Sequence, residues 1–119
     1  MNPNLIYVAA ALVLAYLLYQ RLTGLRRTPP AAVLAKIRAG ARIVDVRTPG
    51  EFSSGSYRKA KNIPLADLPS RLDELGPKDK PIVLYCASGS RSSRAGRILK
   101  KAGFSDVVNA GGLAEMPRN

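Results

Sequence analysis

The chain has 119 residues, of which 19 are basic and 8 acidic, so its formal net charge is +11. That length supports at most one compact domain, and the mixture of 46% hydrophobic and 23% charged residues is typical of a folded chain. The sequence has no His and one Cys, which excludes a Cys/His zinc site, a Ser-His-Asp or Cys-His hydrolase and an intrachain disulfide. Any chemistry must therefore come from carboxylates, Lys or Arg, hydroxyls, backbone amides or the single thiol.

The N-terminal segment Leu5–Tyr19 contains fifteen residues without a charge, a Gly or a Pro. With its flanks it approaches the length of about 20 residues that a membrane span needs. Its apolar residues cover every face, which argues against a helix of a soluble domain. A cleaved signal peptide is disfavoured because no Lys or Arg precedes the segment and no small-x-small site directly follows it. We therefore predict an uncleaved transmembrane anchor over residues 1–22.

Basic residues flank this segment on one side only. Arg21, Arg26 and Arg27 follow it, whereas only the amino group of the chain precedes it. The positive-inside rule then predicts a single-pass protein of the inner (cytoplasmic) membrane with the rest of the chain in the cytoplasm. Residues 23–30 form a basic linker that ends in two prolines, interpreted as a spacer. The membrane flanks account for much of the charge, and the sequence lacks a nucleic-acid-binding motif, so we expect no nucleic-acid partner.

Residues 31–119 have the pattern of one α/β domain. Helical patterns alternate with short β-branched runs, which predicts a mainly parallel central sheet flanked by helices. The predicted helices and helical turns are Ala31–Ala39, Pro49–Phe52, Leu65–Leu75 and Ser92–Ala102. The predicted strands are Arg42–Val46, Pro81–Tyr85 and Phe104–Asn109, and the loops are Ser53–Ala60 and the Gly-rich tail Ala110–Asn119.

The most informative segment is the loop that begins at Cys86, directly after a predicted strand. The carboxyl edge of a parallel sheet is where open α/β folds bind their ligands. Small residues between Cys86 and Arg91 let successive backbone amides converge on an anion, and the helix that begins near Ser92 adds the positive end of its dipole. We therefore expect the pKa of the Cys86 thiol to lie below that of a free cysteine. The residues of the loop are Ala87, Ser88, Gly89, Ser90 and Arg91.

The motifs around this loop resemble those of single-domain rhodaneses, a family of sulfurtransferases. The resemblance runs from about Ala31 to Gly112 and depends on the order and spacing of several short pieces. These are Ile43-Val44-Asp45-Val46-Arg47, Glu51-Phe52, Gly55, Ala60-x-Asn62-Ile63-Pro64, Pro81 to Cys86, Gly89-x-Arg91-Ser92, and Gly103-Phe104 through Gly111-Gly112. The resemblance implies a rhodanese-like fold that follows the membrane anchor.

In that family the loop cysteine carries sulfur. The resemblance implies that Cys86 takes a sulfane sulfur from a small anionic donor such as thiosulfate and passes it, as a persulfide, to a nucleophilic acceptor. The acceptor would be a thiol, including a protein thiol, or a cyanide-like molecule, and neither a cofactor nor a metal is implied. The amides of Ala87 to Arg91 would hold the charged sulfur, and the Arg91 side chain would recognise the donor. A competing interpretation is that Arg91 points away and braces the loop.

Two other functions remain open at this point. Related phosphatases use the longer spacing Cys-x5-Arg, whereas Cys-x4-Arg resembles the sulfur-transferring members. A non-catalytic rhodanese-like module that binds a protein partner at the membrane is the main alternative, although it has no need of the intact loop. Asp45 and Arg47 could serve the site, but the favoured interpretation is a structural ion pair or a strand-end hydrogen bond, and Glu51 is interpreted as structural too.

The chain departs from the family pattern at two places. Where the family usually has His-Ile-Pro-Gly after Gly55, this chain has Ser56-Tyr57-Arg58-Lys59, and Leu113 and Met116 stand where a late Trp is common. The missing His bears on turnover rate more than on fold, because it is not the group that carries sulfur.

Overall fold

The protein is described by a computed structural model that covers residues 2–23 and 25–118, apart from the side chains of Arg21 and Thr23. Met1, Gly24 and Asn119, which belong to the predicted anchor, linker and tail, lie outside the described residues, as does the side chain of Arg21 in the predicted basic flank.

The first helix, α1 (Pro3–Thr23), stands apart from the rest of the chain in its exposure. Its large apolar side chains are each at least 54% exposed, whereas a helix of a soluble domain buries one face. Within the described residues it is the one helix long and apolar enough to cross a membrane, over Pro3–Gln20. α1 is therefore a candidate membrane anchor.

In the part of the chain that the structure describes, four parallel strands form the central sheet, in the spatial order β2-β1-β3-β4. All five residues of β3 are buried, as expected for a central strand covered on both faces. The predicted α/β class with a mainly parallel sheet is thus confirmed. The strands are β1 (Arg42–Asp45), β2 (Lys61–Asn62), β3 (Ile82–Cys86) and β4 (Val107–Gly112).

The remaining α-helices lie close to their predicted positions. They are α2 (Pro30–Arg38), the short α3 (Pro49–Ser53) and α4 (Ser90–Lys101). The predicted helix over Leu65–Leu75 is wrong in type: this segment forms two 3-10 helices, Leu65–Ser70 and Leu72–Leu75. Pro69 lies inside the first and has no amide hydrogen to donate, so a continuous α-helix cannot form.

The last strand lies three residues later than predicted, because it begins at Val107 rather than Phe104 and continues to Gly112. The sequence reads as a loop at Ala110-Gly111-Gly112, since glycine is depleted in strands. Glycine is required at this place by close packing: a Cβ on Gly112 would collide with the Ala87 carbonyl oxygen.

The sheet divides the core into two layers. Val44, Leu84 and Cys86 point to one side, where α4 covers them through Ala95 and Leu99. Alternating residues of the same strands, among them Ile43, Val83 and Tyr85, point to the other side, against Val33 of α2. Cys86 therefore belongs to the layer under α4, the helix that follows its own loop.

The linker is packed against the domain over residues 25–28. The Thr28 amide donates to the Asn109 carbonyl oxygen at 2.7 Å, and Arg27 forms a parallel bridge with Asn109 of β4. The Leu25 side chain lies so close to Gly96 that a Cβ there would collide with it. The predicted spacer thus extends the sheet beyond β4 over these residues.

Candidate active site

Cys86 is the last residue of β3 and its side chain is completely buried. The residues that follow, Ala87 and Ser88, are exposed, and α4 begins at Ser90, two residues earlier than predicted. Gly89 closes the turn with a left-handed φ of 97°, which glycine adopts at no steric cost. A Cβ at Gly89 would also press on the Gly111 Cα at 3.2 Å. The short loop therefore folds tightly over the sulfur.

The Cys86 sulfur is approached by a backbone amide and by a hydroxyl group. The Gly89 amide donates to Sγ at 3.0 Å, and the Ser92 hydroxyl lies 3.4 Å from Sγ. Burial by itself raises the pKa of this thiol. Hydrogen bonds from Ser92 and from the amides of Ser88 and Gly89 act in the opposite direction and prevail, so the pKa of Cys86 is lowered. This is the direction that the sequence predicts.

Arg91 lies beside the loop, and its guanidinium group is paired with Glu51. Its two terminal nitrogens donate to the two Glu51 carboxylate oxygens at 2.6 and 2.9 Å. Glu51 also caps α3 together with Thr48. The hydrogen bonds from Arg91, helped by the Thr48 amide, lower the pKa of Glu51 to about 2. The pairing joins the start of α4 to α3 and leaves Arg91 about one third exposed.

Asp45 and Arg47 form a buried ion pair at the end of β1. The Arg47 guanidinium donates to the Asp45 carboxylate at 2.7 and 3.0 Å, and the Arg47 amide donates to the same carboxylate at 2.8 Å. Arg47 also donates to the Gly55 carbonyl oxygen at 2.6 Å. The ion pair and the strand-end hydrogen bond that the sequence favours for these two residues are therefore present in the structure.

Sequence reasoning missed two residues at this site, Ser92 and Asn109. Both are buried, and the Ser92 hydroxyl connects the Cys86 sulfur to the Asn109 side chain, with 2.6 Å between Ser92 Oγ and Asn109 Oδ1. The available signal is weak. Asn109 is a polar residue within an otherwise apolar run, and Ser92 follows the loop arginine directly.

The segment that replaces the usual family His is held by Tyr57. Its hydroxyl donates to the Pro117 carbonyl oxygen at 2.6 Å, and its amide donates to the Tyr85 hydroxyl at 2.9 Å. The two tyrosine rings meet edge to face, with their centroids 6.3 Å apart. Met116, which stands in the region of the common late Trp, is buried in the same layer.

The family model of the Rhodanese-like domain matches residues 29–116 of the chain. The chain belongs to the rhodanese-like family. It is 35% identical over 74 residues to the thiosulfate sulfurtransferase PspE of Escherichia coli, an alignment that covers 61% of this chain and 71% of that protein. It is 42% identical over 80 residues to the uncharacterised protein YqhL of Bacillus subtilis, covering 65% of this chain and 63% of YqhL.

Solved structures of rhodaneses have the same fold. A rhodanese from E. coli with bound anions superposes with a TM-score of 0.62 at 33% identity, and the match covers 66% of this chain and 95% of that one. The rhodanese-like fold expected from the motifs is therefore confirmed, together with membership of a family that includes sulfurtransferases.

Proposed function

We propose that this rhodanese-like protein is a sulfurtransferase that carries sulfane sulfur as a persulfide on Cys86. The geometry of the Cys86 sulfur is the observation that carries the proposal: at the carboxyl edge of the sheet an amide donates to Sγ at 3.0 Å, and a hydroxyl group that can also donate lies 3.4 Å from it. Such donors stabilise a thiolate, which is the nucleophilic form of cysteine. The similarity to a thiosulfate sulfurtransferase supports thiosulfate as the donor.

In the first half-reaction the Cys86 thiolate attacks the outer sulfur of thiosulfate. A new sulfur–sulfur bond forms, the sulfur–sulfur bond of the donor breaks, and sulfite leaves with the bonding electron pair. The negative charge is then on the outer sulfur of the persulfide, where the amides of Ala87 to Arg91 would hold it. In the second half-reaction an acceptor thiolate or cyanide attacks that sulfur, and Cys86 leaves as a thiolate.

The contacts support the bracing role for Arg91. Its guanidinium group already binds both Glu51 oxygens, so an anionic donor would have to compete with a carboxylate for the same nitrogens. We therefore assign anion binding chiefly to the loop amides and assign Arg91 to holding the loop against α3. Because Cys86 is completely buried, a donor can reach the sulfur only if the chain around it opens.

Intact-mass spectrometry of the full chain after incubation with thiosulfate tests this proposal. We expect a gain of one sulfur atom that maps to Cys86 and is removed by cyanide or a small thiol. The Cys86→Ser variant serves as the control and should gain nothing. A folded wild-type protein that gains no sulfur from thiosulfate or from an alkyl thiosulfonate would contradict the enzyme and favour the partner-binding module.

We also propose that α1 anchors the domain in the inner membrane with the domain in the cytoplasm. The exposed apolar surface of α1 and the arginines that follow it in the sequence support this arrangement. C-terminal fusions to a reporter active only in the cytoplasm and to one active only outside it test the orientation. Activity of the external reporter would contradict the proposal.

A further inference from the structure

Ser92 and Asn109 form a buried chain of polar contacts that leads away from the Cys86 sulfur. Ser92 is completely buried and Asn109 is 3% exposed. The Ser92 oxygen lies 3.4 Å from Cys86 Sγ, 2.6 Å from Asn109 Oδ1 and 3.1 Å from the Gly89 carbonyl oxygen. The proposed chemistry does not yet account for this arrangement.

Three hydrogen bonds fix the orientation of the Asn109 carboxamide. The Gly111 amide donates to Oδ1 at 2.9 Å, so this atom must be an oxygen. The Asn109 nitrogen donates to the carbonyl oxygens of Leu25 and Gly89 at 2.9 and 3.2 Å, so that atom must carry hydrogens. In a flipped carboxamide the NH2 group would face the Gly111 amide, which is also a donor. The carboxamide oxygen would then face the carbonyl oxygens of Leu25 and Gly89. Oδ1 therefore faces Ser92.

The Ser92 hydroxyl has a single proton to distribute. While Cys86 is a thiol, its S–H can donate to the Ser92 oxygen, and the Ser92 proton then goes to Asn109 Oδ1, its closest acceptor. When Cys86 is a thiolate, the sulfur can no longer donate and becomes a charged acceptor, so it attracts the Ser92 proton in addition to the Gly89 amide that already donates to it. Asn109 Oδ1 then keeps the Gly111 amide as its other donor. The turn therefore leaves no buried group without a hydrogen bond.

We propose that the Ser92 hydroxyl is a two-position switch, which donates to Asn109 while the Cys86 sulfur is uncharged and to that sulfur while it is a thiolate. Asn109 is then a positioning residue that competes with the sulfur for one proton. The proposal rests on the proposed function for its place in the reaction, since Sγ is charged before it attacks the donor and again when it leaves the persulfide. Between these points the charge is on the outer sulfur, and the hydroxyl turns back to Asn109.

Titration of Cys86 in three variants tests the switch. The chain has one cysteine, so cysteine labelled with carbon-13 at Cβ gives a single signal whose shift follows ionisation. Asn109→Ala removes the competing acceptor, and we expect the thiol pKa to fall by about half a unit to one unit. Ser92→Ala removes the donor, and we expect a rise of similar size. In the double variant Ser92→Ala/Asn109→Ala the pKa should equal that of Ser92→Ala, because the effect of Asn109 passes through the hydroxyl.

A purely structural role for Asn109 predicts the opposite sign. If Asn109 only kept the loop in place, its loss would loosen the loop and raise the pKa towards that of a free cysteine. An unchanged or raised pKa in Asn109→Ala, or a shift that persists without the Ser92 hydroxyl, overturns the proposal. Asn62→Ala is the matched control, because Asn62 donates to the carbonyl oxygens of Asp45 and Arg47 at 3.0 and 2.9 Å on the far strand β2. It should lower stability without moving the thiol pKa.

Infrared spectroscopy of the unmodified site gives a test that does not require Asn109→Ala to fold. A single cysteine gives a single S–H stretching band, and donation of that S–H to the Ser92 oxygen lowers its frequency. At a pH where Cys86 is a thiol, we expect the band of the wild-type protein to lie below that of Ser92→Ala. Equal frequencies overturn the switch. Neither measurement requires sulfur transfer, so the failure of this proposal and of the proposed function are separate results.

Discussion

The carboxyl ends of β1 and β3 lie side by side in the sheet, yet the acidic groups at these two ends have different kinds of partner. At the end of β1 the Asp45 carboxylate receives the Arg47 guanidinium and amide, so its charge is met by an opposite charge. At the end of β3 the Cys86 sulfur receives a hydrogen bond from the Gly89 amide and lies 3.4 Å from the Ser92 hydroxyl, and both of these groups are uncharged.

The difference separates a structural anion from a reactive one. A buried carboxylate in an ion pair is fixed, because separating the two charges is costly. A thiolate held by neutral dipoles is stabilised and still free to form a covalent bond, and the same dipoles can follow the charge to the outer sulfur of a persulfide. The Arg91 guanidinium group, at the end of the loop, is instead bound to Glu51.

The largest effect is expected from Cys86→Ser. A serine hydroxyl is similar in size to a thiol but does not ionise near neutral pH, so sulfur transfer should be abolished. The melting temperature should stay close to that of the wild-type protein. The check is a thiosulfate-to-cyanide assay alongside a melting curve, and transfer above background would mean that the nucleophile is another group.

Asp45→Ala tests the other strand end. It leaves the buried Arg47 guanidinium without its carboxylate, so we expect the free energy of unfolding to fall by about 3–5 kcal/mol. Denaturant unfolding measures this loss. Asp73→Ala, at an exposed aspartate, is the control and should change stability by less than about 0.5 kcal/mol. A loss below about 1 kcal/mol in Asp45→Ala would show that the ion pair contributes little to folding.

Arg91→Ala distinguishes bracing from donor binding. If Arg91 braces the loop through Glu51, its removal deletes two charge-assisted hydrogen bonds. Both half-reactions should then slow by roughly 10-fold or more, and the melting temperature should fall. Glu51→Gln should reproduce most of both effects. Single-turnover measurement of the two half-reactions supplies the test. A loss confined to the donor step, with Glu51→Gln unaffected, would assign Arg91 to donor binding.

The smallest effect is expected in acid. The pKa of Glu51 is lowered to about 2 in the folded protein, chiefly by Arg91, from an ordinary value of 4.5. A lowered pKa means that the stabilisation is complete above about pH 4.5 and is lost as the pH falls towards 2. Melting temperatures of the wild-type protein and of Glu51→Gln should therefore converge over this interval. A difference that stays constant down to pH 2 would contradict the assignment.

Much of the fold could be predicted because the core is built from local periodic patterns. The β-branched runs became β1 and β3, and the leucine spacing correctly indicated that Leu68 and Leu75 face inward. The helix type between them could not be predicted from that spacing, since Pro69 decides it. The two glycines of β4 predict a loop when the sequence is taken alone, because the close approach of Gly112 to the Ala87 carbonyl group depends on the end of the neighbouring strand.

The candidate site divides in the same way. The position of Cys86 and the tight turn at Gly89 follow from contiguous residues, so the sequence predicts them. The contact between Asn109 and Ser92 does not follow from contiguous residues, because it depends on the pairing of β4 with β3. The Arg91–Glu51 pair joins residues 40 positions apart, and a pattern read along the chain gives no distance between them.

The packing of residues 25–28 determines where a shortened form of the protein should begin. A fragment that starts at α2 would lose the Leu25 carbonyl group, which accepts from Asn109, and the Thr28 amide, which donates to it. The freed Asn109 nitrogen would then seek another partner inside the site, and the β4 edge would be open to pairing with a second molecule. A fragment that starts at Leu25 keeps these contacts while omitting α1. A truncation should therefore be made directly before Leu25, between α1 and the segment that pairs with the edge strand β4.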